Sequence, residues 1–585
     1  MTIIEHITEN KQDAILWQSG KWLEAAEDPY AKAKAVESIG KLIFSIESEL
    51  IRANYCETIA TYPKFRQFKL KKAAINTAIL QQLPTKEKLE LPEPNRLPPW
   101  MNLEELDLKG FCTVEDKEGH RGYWTIEKSG KYRITNFTIT PVFHVEGKGK
   151  DSRHIIEINN GRKKAIVDVQ SNALLSVEQL GTEIVAEGNF IFFGTSIHIK
   201  RIASELLPHF HRCSEIKQPG WQRKGFFVYL DKVIVPGQKE AIIPDKYGVF
   251  PIGEKHYLIP ASSEVYSNRD YDSDPYELQR ALTSQKPKVS FSEWATLFCK
   301  TYTRGKGLVG ISFAILCIFR DVVFAVNGNV PHLYGYGEKS SGKSQMAESL
   351  TYLFFKVKRT FALNAGTDFG FFSFMGAFRN CINHMNELDE KSLNDKWFQA
   401  LKAAYDGEGR TRGVMGGQKN QIEVQHVDSP LVLTGQYLAT KDDNSLVSRS
   451  LILPFSVIEH TDESFAALNT LKELQADGGL NGMLEELIHL RPLMEKTYYD
   501  EYTTLLASWR KGIGSKHYNQ RMYQNWCHLS TLYKIVSKNI ALPENWTTFD
   551  IYCQERADFY SQLMQSSDTL TAYWNIIAEL NDNKV

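Results

Sequence analysis

The sequence predicts an α/β core, a parallel sheet covered by helices, preceded by a helical N-terminal segment and a β-rich domain and followed by a helical C-terminal region. Three observations predict it. Short apolar runs alternate with long helical patterns from about residue 288 to 460. Period-two runs punctuated by Gly and Asn fill about 105 to 260. Residues 337–344, GEKSSGKS, fit G-x-x-x-x-G-K-[ST] without a mismatch between a short strand pattern and a helical one.

The chain has 585 residues. A single hydrophobic core stops growing at roughly 250–300 residues, so several domains are expected. Residues 1–82 read as helical, with apolar residues at helical spacing through Ala33, Val36, Ile39 and Ile43. Residues 83–104 read as a linker, because Pro84, Pro92, Pro94, Pro98 and Pro99 remove backbone donors and fix φ. Residues 105–285 read as the β-rich domain, with strands at 132–139, 154–158, 165–169 and 189–193. Lys148, Lys150, Arg153, Arg162, Lys163 and Lys164 cluster there, either as a nucleic-acid surface or as solvated hairpin tips. Residues 286–460 form the predicted ATPase core, and 461–585 a helical lid and C-terminal region.

Lys+Arg at 69 against Asp+Glu at 70 gives a net charge of -1, so any nucleic-acid contact must come from a local basic stripe. The eight cysteines are scattered without a CxxC pair. That pattern excludes a zinc ribbon and a dense disulfide framework, and reduced thiols in a cytoplasmic protein are expected. His209, His211 and Cys213 lie together, but no second ligand cluster stands at metal-site spacing. The opening residues lack a basic stretch before an apolar run, so no secretory leader is expected. The most apolar segment, 308–326, is interrupted by Arg320 and Asp321 and reads as a buried core helix, not a membrane span.

The motif at 337–344 carries phosphate chemistry. Gly337 and Gly342 let backbone N–H groups of Glu338, Lys339, Ser340 and Ser341 turn toward phosphates. Lys343 supplies a cation to the β- and γ-phosphates, and Ser344 a hydroxyl to Mg²⁺. The helix that opens there places its positive end under the anion. A P-loop NTPase that binds ATP and Mg²⁺ follows from this pattern in this context.

Downstream, a semi-apolar strand ends in Asn386, Glu387, Leu388, Asp389 and Glu390. Phosphoryl transfer needs a carboxylate near Mg²⁺ and a group that orients water, and Glu387 at the strand tip suits the second task. Asp389 or Glu390 serves if the register slides, and an acidic helix start is the alternative. Residues 405–419 surround Arg410, Arg412 and Lys419 with glycines, which suits either a hairpin touching a phosphodiester backbone or an exposed loop. The strand 430–436 ends in Thr434 and Gln436, either of which would face a γ-phosphate at a strand tip. Arg449 stands between apolar stretches, as an arginine finger or as a structural ion pair.

This order of elements resembles an AAA+ motor of the MCM type and the helicase modules of bacterial phages and mobile elements. Gly342-Lys343-Ser344-Gln345 resembles the family's phosphate loop, which places Gln345 at the nucleotide. Asn386-Glu387-Leu388-Asp389 resembles its Asp-Glu-Phe-Asp element. The match makes Glu387 the water-polarising residue and sets Ser344, Asn386 and Asp389 at the metal. It also exposes a departure, since Asn386 stands where the family has Asp. Ser448-Arg449-Ser450 resembles the Ser-Arg-Phe finger, implying that Arg449 acts on a neighbouring subunit. Gln436 takes the place of the first sensor, usually Asn, and Arg521 that of the second. The segment 410–424 occupies the place of a DNA-gripping hairpin, and 405–412 looks like a segment of Bacteroidetes primase–helicase proteins. The resemblance spans about residues 290–530 and implies a homo-oligomeric, often hexameric, ring on single-stranded or forked DNA, with no membrane partner. The competing reading is an ATP-regulated initiator or defence-system ATPase that binds a nucleic acid or protein partner.

Overall fold

The structure is a computed structural model that describes residues 13–46, 49–68, 70–80, 101–116, 118–127, 130–147, 151–267, 274–302, 305–413, 422–457, 461–513 and 518–582. The chain divides into two compact units, Met1–Asn136 and Phe137–Val585.

The first unit opens with helices Ala14–Glu24, Pro29–Phe44, Glu49–Thr61 and Lys72–Leu80. The second helix starts where it does because the Asp28 carboxylate accepts from the Ala31 N–H (2.7 Å) and Pro29 presets φ in the first turn. Leu23, Ile39, Ile43, Ile59 and Ile75 are fully buried between the helices. Most of the predicted linker lies outside the described residues. Its last two, Leu103 and Glu104, already belong to the helix Leu103–Lys109, whose first turn the Asn102 side chain caps. An antiparallel sheet follows: β1 (Cys112–Glu115), β2 (Arg121–Glu127) and β3 (Gly130–Arg133).

The run 132–139, expected as one strand, is broken. Ile134 and Thr135 both donate to the Tyr123 carbonyl, and the Thr135 hydroxyl accepts from the Tyr123 N–H. These bonds turn the chain away from β3. The break coincides with the border between units, so the 105–285 stretch contributes to both.

In the second unit β4 (Thr138–Glu146), β5 (Arg153–Asn159), β6 (Lys164–Gln170) and β7 (His211–Glu215) join β11 (Val249–Ile252) and β12 (Lys255–Leu258) in the order β11-β12-β7-β4-β5-β6. A small sheet of β8 (Gly220–Gln222), β9 (Phe226–Val228) and β10 (Val233–Ile234) stands beside it. Residues 189–193 do not form the expected strand. They make an irregular crossing between helices Val177–Val185 and Ser196–Leu206, and Phe190 is buried edge-on against Phe137. Arg153 is half-buried, its guanidinium paired with Asp168 (2.9 Å) and Glu215 (2.7 Å).

The core sheet is wholly parallel. It holds β13 (His332–Gly337), β14 (Thr360–Ala362), β15 (Asn383–Leu388), β18 (Leu431–Gly435) and β19 (Ser450–Phe455) in the order β14-β15-β18-β13-β19. Between β15 and β18 in sequence lies the hairpin β16 (Thr411–Gly413) and β17 (Ile422–Val424). The apolar segment 308–326, expected as one helix, is two: Lys306–Ile318 and Arg320–Asn327, bent by 83°. The bend carries the buried Arg320 guanidinium to Asp428 (3.1 Å) and the Val427 carbonyl (3.0 Å). Among the described residues no single helix is long and apolar enough to cross a membrane. Helices Arg491–Ile513, Gln520–Ser537 and Trp546–Asp582 complete the unit.

Candidate active site

β13 lies between β18 and β19, and the loop after it leads into the helix Lys343–Thr351. Glycine is required at 337. Its φ is 149°, and a Cβ there would sit 2.1 Å from the Phe455 carbonyl oxygen on β19. Ser340 (φ 63°) and Gly342 (φ 90°) also adopt left-handed conformations, which coil the loop over the helix N-terminus. Lys343 Nζ donates to the Glu338 carbonyl oxygen at 2.9 Å. Partial burial pushes the Lys343 pKa down.

A cavity of about 560 Å³ opens at the C-terminal edge of the sheet. Lys339, Ser340, Lys343 and Ser344 line it from the loop, and Asn386, Glu387 and Asp389 from the end of β15 and just beyond. Thr434, Gln436 and Tyr437 close it at the end of β18. This edge is where parallel sheets hold ligands. The Tyr334 hydroxyl fixes the last segment by donating to the Tyr437 carbonyl (2.7 Å) and accepting from the Ala439 N–H (3.2 Å).

Glu387 is held in a conformation that non-glycine residues seldom adopt, with φ 60°. The register between β15 and β18 shifts between Met385 and Leu388, so Glu387 sits on an irregularity. Such strain costs on the order of 1–3 kcal/mol and persists where surrounding structure over-determines it. Its consequence is that Asn386 and Glu387, neighbours in sequence, both reach one cavity. In a regular strand they would point to opposite faces.

Asn386 Oδ1 accepts from the Ser344 hydroxyl (3.1 Å) and the Thr434 hydroxyl (2.7 Å). Behind Thr434 stands His384, fully buried, with Nε2 3.0 Å from Thr434 Oγ1 and Nδ1 3.0 Å from Thr360 Oγ1. Burial pushes the His384 pKa down to about 3, with Lys358 adding to the effect, so the ring is neutral at physiological pH.

Other predicted residues are placed differently. The Glu338 carboxylate turns away from the cavity and accepts from the Val457 N–H (3.0 Å) and the Ser456 hydroxyl (3.2 Å), tying the loop to the end of β19. Ser341 is buried, and Gln345 lies on the first helical turn, outside the cavity lining. Both Asp389 carboxylate oxygens serve the turn that Asp389 begins, accepting from the Lys391 N–H and the Ser392 hydroxyl.

Arg449 and Arg521 are not brought to the cavity of their own chain. The Arg449 guanidinium donates to the Ser445 carbonyl (2.9 Å) and lies 5.8 Å from the Tyr405 ring centroid. Burial and then the charge of nearby Arg521 push its pKa down, against the pull of Asp406. Asn525 braces the arginine's turn, accepting from the Tyr405 hydroxyl (3.0 Å) and donating to the Ser448 carbonyl (3.1 Å). Arg410 sits at the base of the β16–β17 hairpin, its guanidinium 5.8 Å from the Phe372 ring centroid. Arg412 pairs with Glu423 across the hairpin backbone, and Lys419 lies outside the described residues. Sequence reasoning missed His384 and Asn364, both at the site. His384 stands two residues before Asn386, the spacing that places both on one face of a strand.

No family model and no curated protein matches the chain. Among solved structures, the protein described as SCCmec type IV Cch, an active helicase, matches 80% of this chain and 82% of its own, at 15% identity and a TM-score of 0.51. The C-terminal region of NrS-1 matches 69–72% of this chain and 91–92% of its own in two apo structures, at 9–12% identity and TM-scores of 0.24–0.25. The first likeness is one of fold, and it extends well beyond the core sheet.

Proposed function

We propose that this chain is an ATP hydrolase that couples ATP turnover to movement along DNA: a ring-forming AAA+ helicase or translocase of the MCM-like kind, serving replication of a phage or mobile element. The observation that carries the reading is the convergence of Lys343, Ser344, Asn386, Glu387 and Gln436 on one cavity at the C-terminal edge of the parallel sheet. The fold shared with a protein described as an active helicase supports it.

The residues fit Mg²⁺. A hard cation takes oxygen ligands, and the Ser344 hydroxyl and Asn386 carbonyl stand 3.1 Å apart on the cavity wall. Bound Mg²⁺ would neutralise charge on the β- and γ-phosphates. The chain's own groups do the rest. Loop N–H groups and the helix N-terminus hold the phosphates. Lys343 places its ammonium on them. Glu387 accepts a hydrogen bond from the attacking water and orients it, and Gln436 reports the γ-phosphate. Arg449, which does not line its own chain's cavity, reaches the ATP of the next subunit in a ring. Arg410, Arg412 and Lys419 bring the hairpin to the DNA backbone.

The test is steady-state ATP hydrolysis with and without single-stranded DNA, for the wild type and Lys343→Ala. Hydrolysis stimulated by DNA and lost in the variant is expected. Hydrolysis that ignores DNA would overturn the motor reading and favour a switch acting on a protein or RNA partner.

A further inference from the structure

Asn386 is an amide at a position facing the loop serine, and an amide is not symmetric. A carboxylate offers acceptor oxygens whichever way it turns, whereas an amide offers one oxygen and one NH₂ group. The orientation of Asn386 therefore decides whether the cavity wall presents an acceptor or a donor beside Ser344.

In the structure Oδ1, rather than the NH₂ group, faces two hydroxyls. Ser344 and Thr434 both donate to Oδ1. A threonine hydroxyl has one proton, and here it is committed to Asn386. The 3.0 Å contact between Thr434 Oγ1 and His384 Nε2 is then one in which Nε2–H donates. Nδ1 in turn accepts from the Thr360 hydroxyl at 3.0 Å. With the ring proton on Nδ1 instead, Nε2 would accept the Thr434 proton, and Oδ1 would lose its shorter bond. The amide would then be free to turn its NH₂ toward Ser344. His384 and Thr434 are both buried, leaving little access for bulk water to replace a lost partner.

We propose that His384 is a positioning residue that acts through Thr434 to hold the Asn386 carbonyl toward the cavity, so that an amide can serve beside a nucleotide-bound Mg²⁺. The proposal rests on the nucleotide-hydrolysis reading above.

A double-mutant cycle tests it: His384→Leu, Asn386→Asp and the pair, with His384→Gln as the conservative variant whose amide nitrogen can still donate to Thr434. The primary readout is the Mg²⁺ concentration that half-saturates binding of a fluorescent ATP analogue, with Mg²⁺-free binding and thermal unfolding as folding controls. Loss of an outer-shell partner typically weakens a metal site by about 10- to 100-fold. A rise of at least about tenfold is expected for His384→Leu, with recovery in His384→Gln. In the Asn386→Asp background the same His384→Leu change should have little effect, since a carboxylate needs no such orientation. Equal losses in both backgrounds, or none in either, would overturn the proposal.

Should His384→Leu fail to fold, nitrogen-15 NMR of the wild-type imidazole reads the tautomer directly. A proton on Nε2 is expected, and one on Nδ1 overturns the proposal. Absence of nucleotide binding in the wild type would instead sink the hydrolysis reading and leave the tautomer measurable, so the two failures are distinguishable.

Discussion

Glu387 combines an acidic side chain, a left-handed backbone and a place on the cavity wall. Its neighbour Asn386 belongs to a hydrogen-bonded set with Ser344, Thr434 and His384, and under the proposed function the two residues would divide the work of holding the phosphate side and orienting water. A positioned base contributes about 10²- to 10⁴-fold to proton transfer. Glu387→Gln keeps the side chain's size and removes the base. Expected is hydrolysis slowed by about that factor while Mg²⁺-dependent nucleotide binding stays within about twofold of wild type. Binding lost together with hydrolysis would show instead that Glu387 holds the nucleotide or the local fold.

At the level of elements, the bent pair Lys306–Ile318 and Arg320–Asn327 is anchored at its 83° bend. The anchor is Arg320, buried and paired with Asp428, which also forms an ion pair with Arg379 at 3.3 Å. Burial pushes the Arg320 pKa down while the two carboxylates, Asp428 and Asp321, pull it back up. Removing one partner of a buried pair strands the other charge, at a cost of about 3–5 kcal/mol. Arg320→Ala is expected to lower the unfolding free energy of the core by up to that amount in a denaturant titration, since Arg379 stays beside Asp428 and leaves the carboxylate partly paired. A loss below about 1 kcal/mol would mean that the pair is screened as a surface pair is.

At the scale of the whole molecule, the placement of Arg449 matters most. Neither it nor Arg521 lines the cavity of its own chain, and the two arginines stand close enough to depress the Arg449 pKa. The ring proposal makes Arg449 the residue that completes a neighbour's site. Arg449→Ala and Lys343→Ala preparations should each be nearly inactive, and mixing them should restore a fraction of the hydrolysis, because some interfaces then join an intact loop to an intact arginine. No recovery under conditions where subunits exchange would overturn action between subunits.

The sequence by itself determined the glycine-rich loop at 337–344 and its setting. Periodicity and the spacing of Gly337, Gly342, Lys343 and Ser344 are local properties, and the structure keeps them as β13, loop and helix. It also marked the β15 tip, the β18 strand and the hairpin, because strand alternation and glycine punctuation are written within a few residues of chain. What it did not determine depends on partners far away in sequence. The break in 132–139 follows from bonds to Tyr123, and the bend at Arg320 from a carboxylate about a hundred residues downstream. Glu338 fills an unspecified position of the loop motif, and its carboxylate fastens β19 because Ser456 and Val457 lie beside it. His384 reads as one more residue of a buried strand until Thr360 and Thr434 arrive from the two neighbouring strands. The direction of a hydrogen bond is set by every donor and acceptor packed around it, and only the folded sheet brings those together.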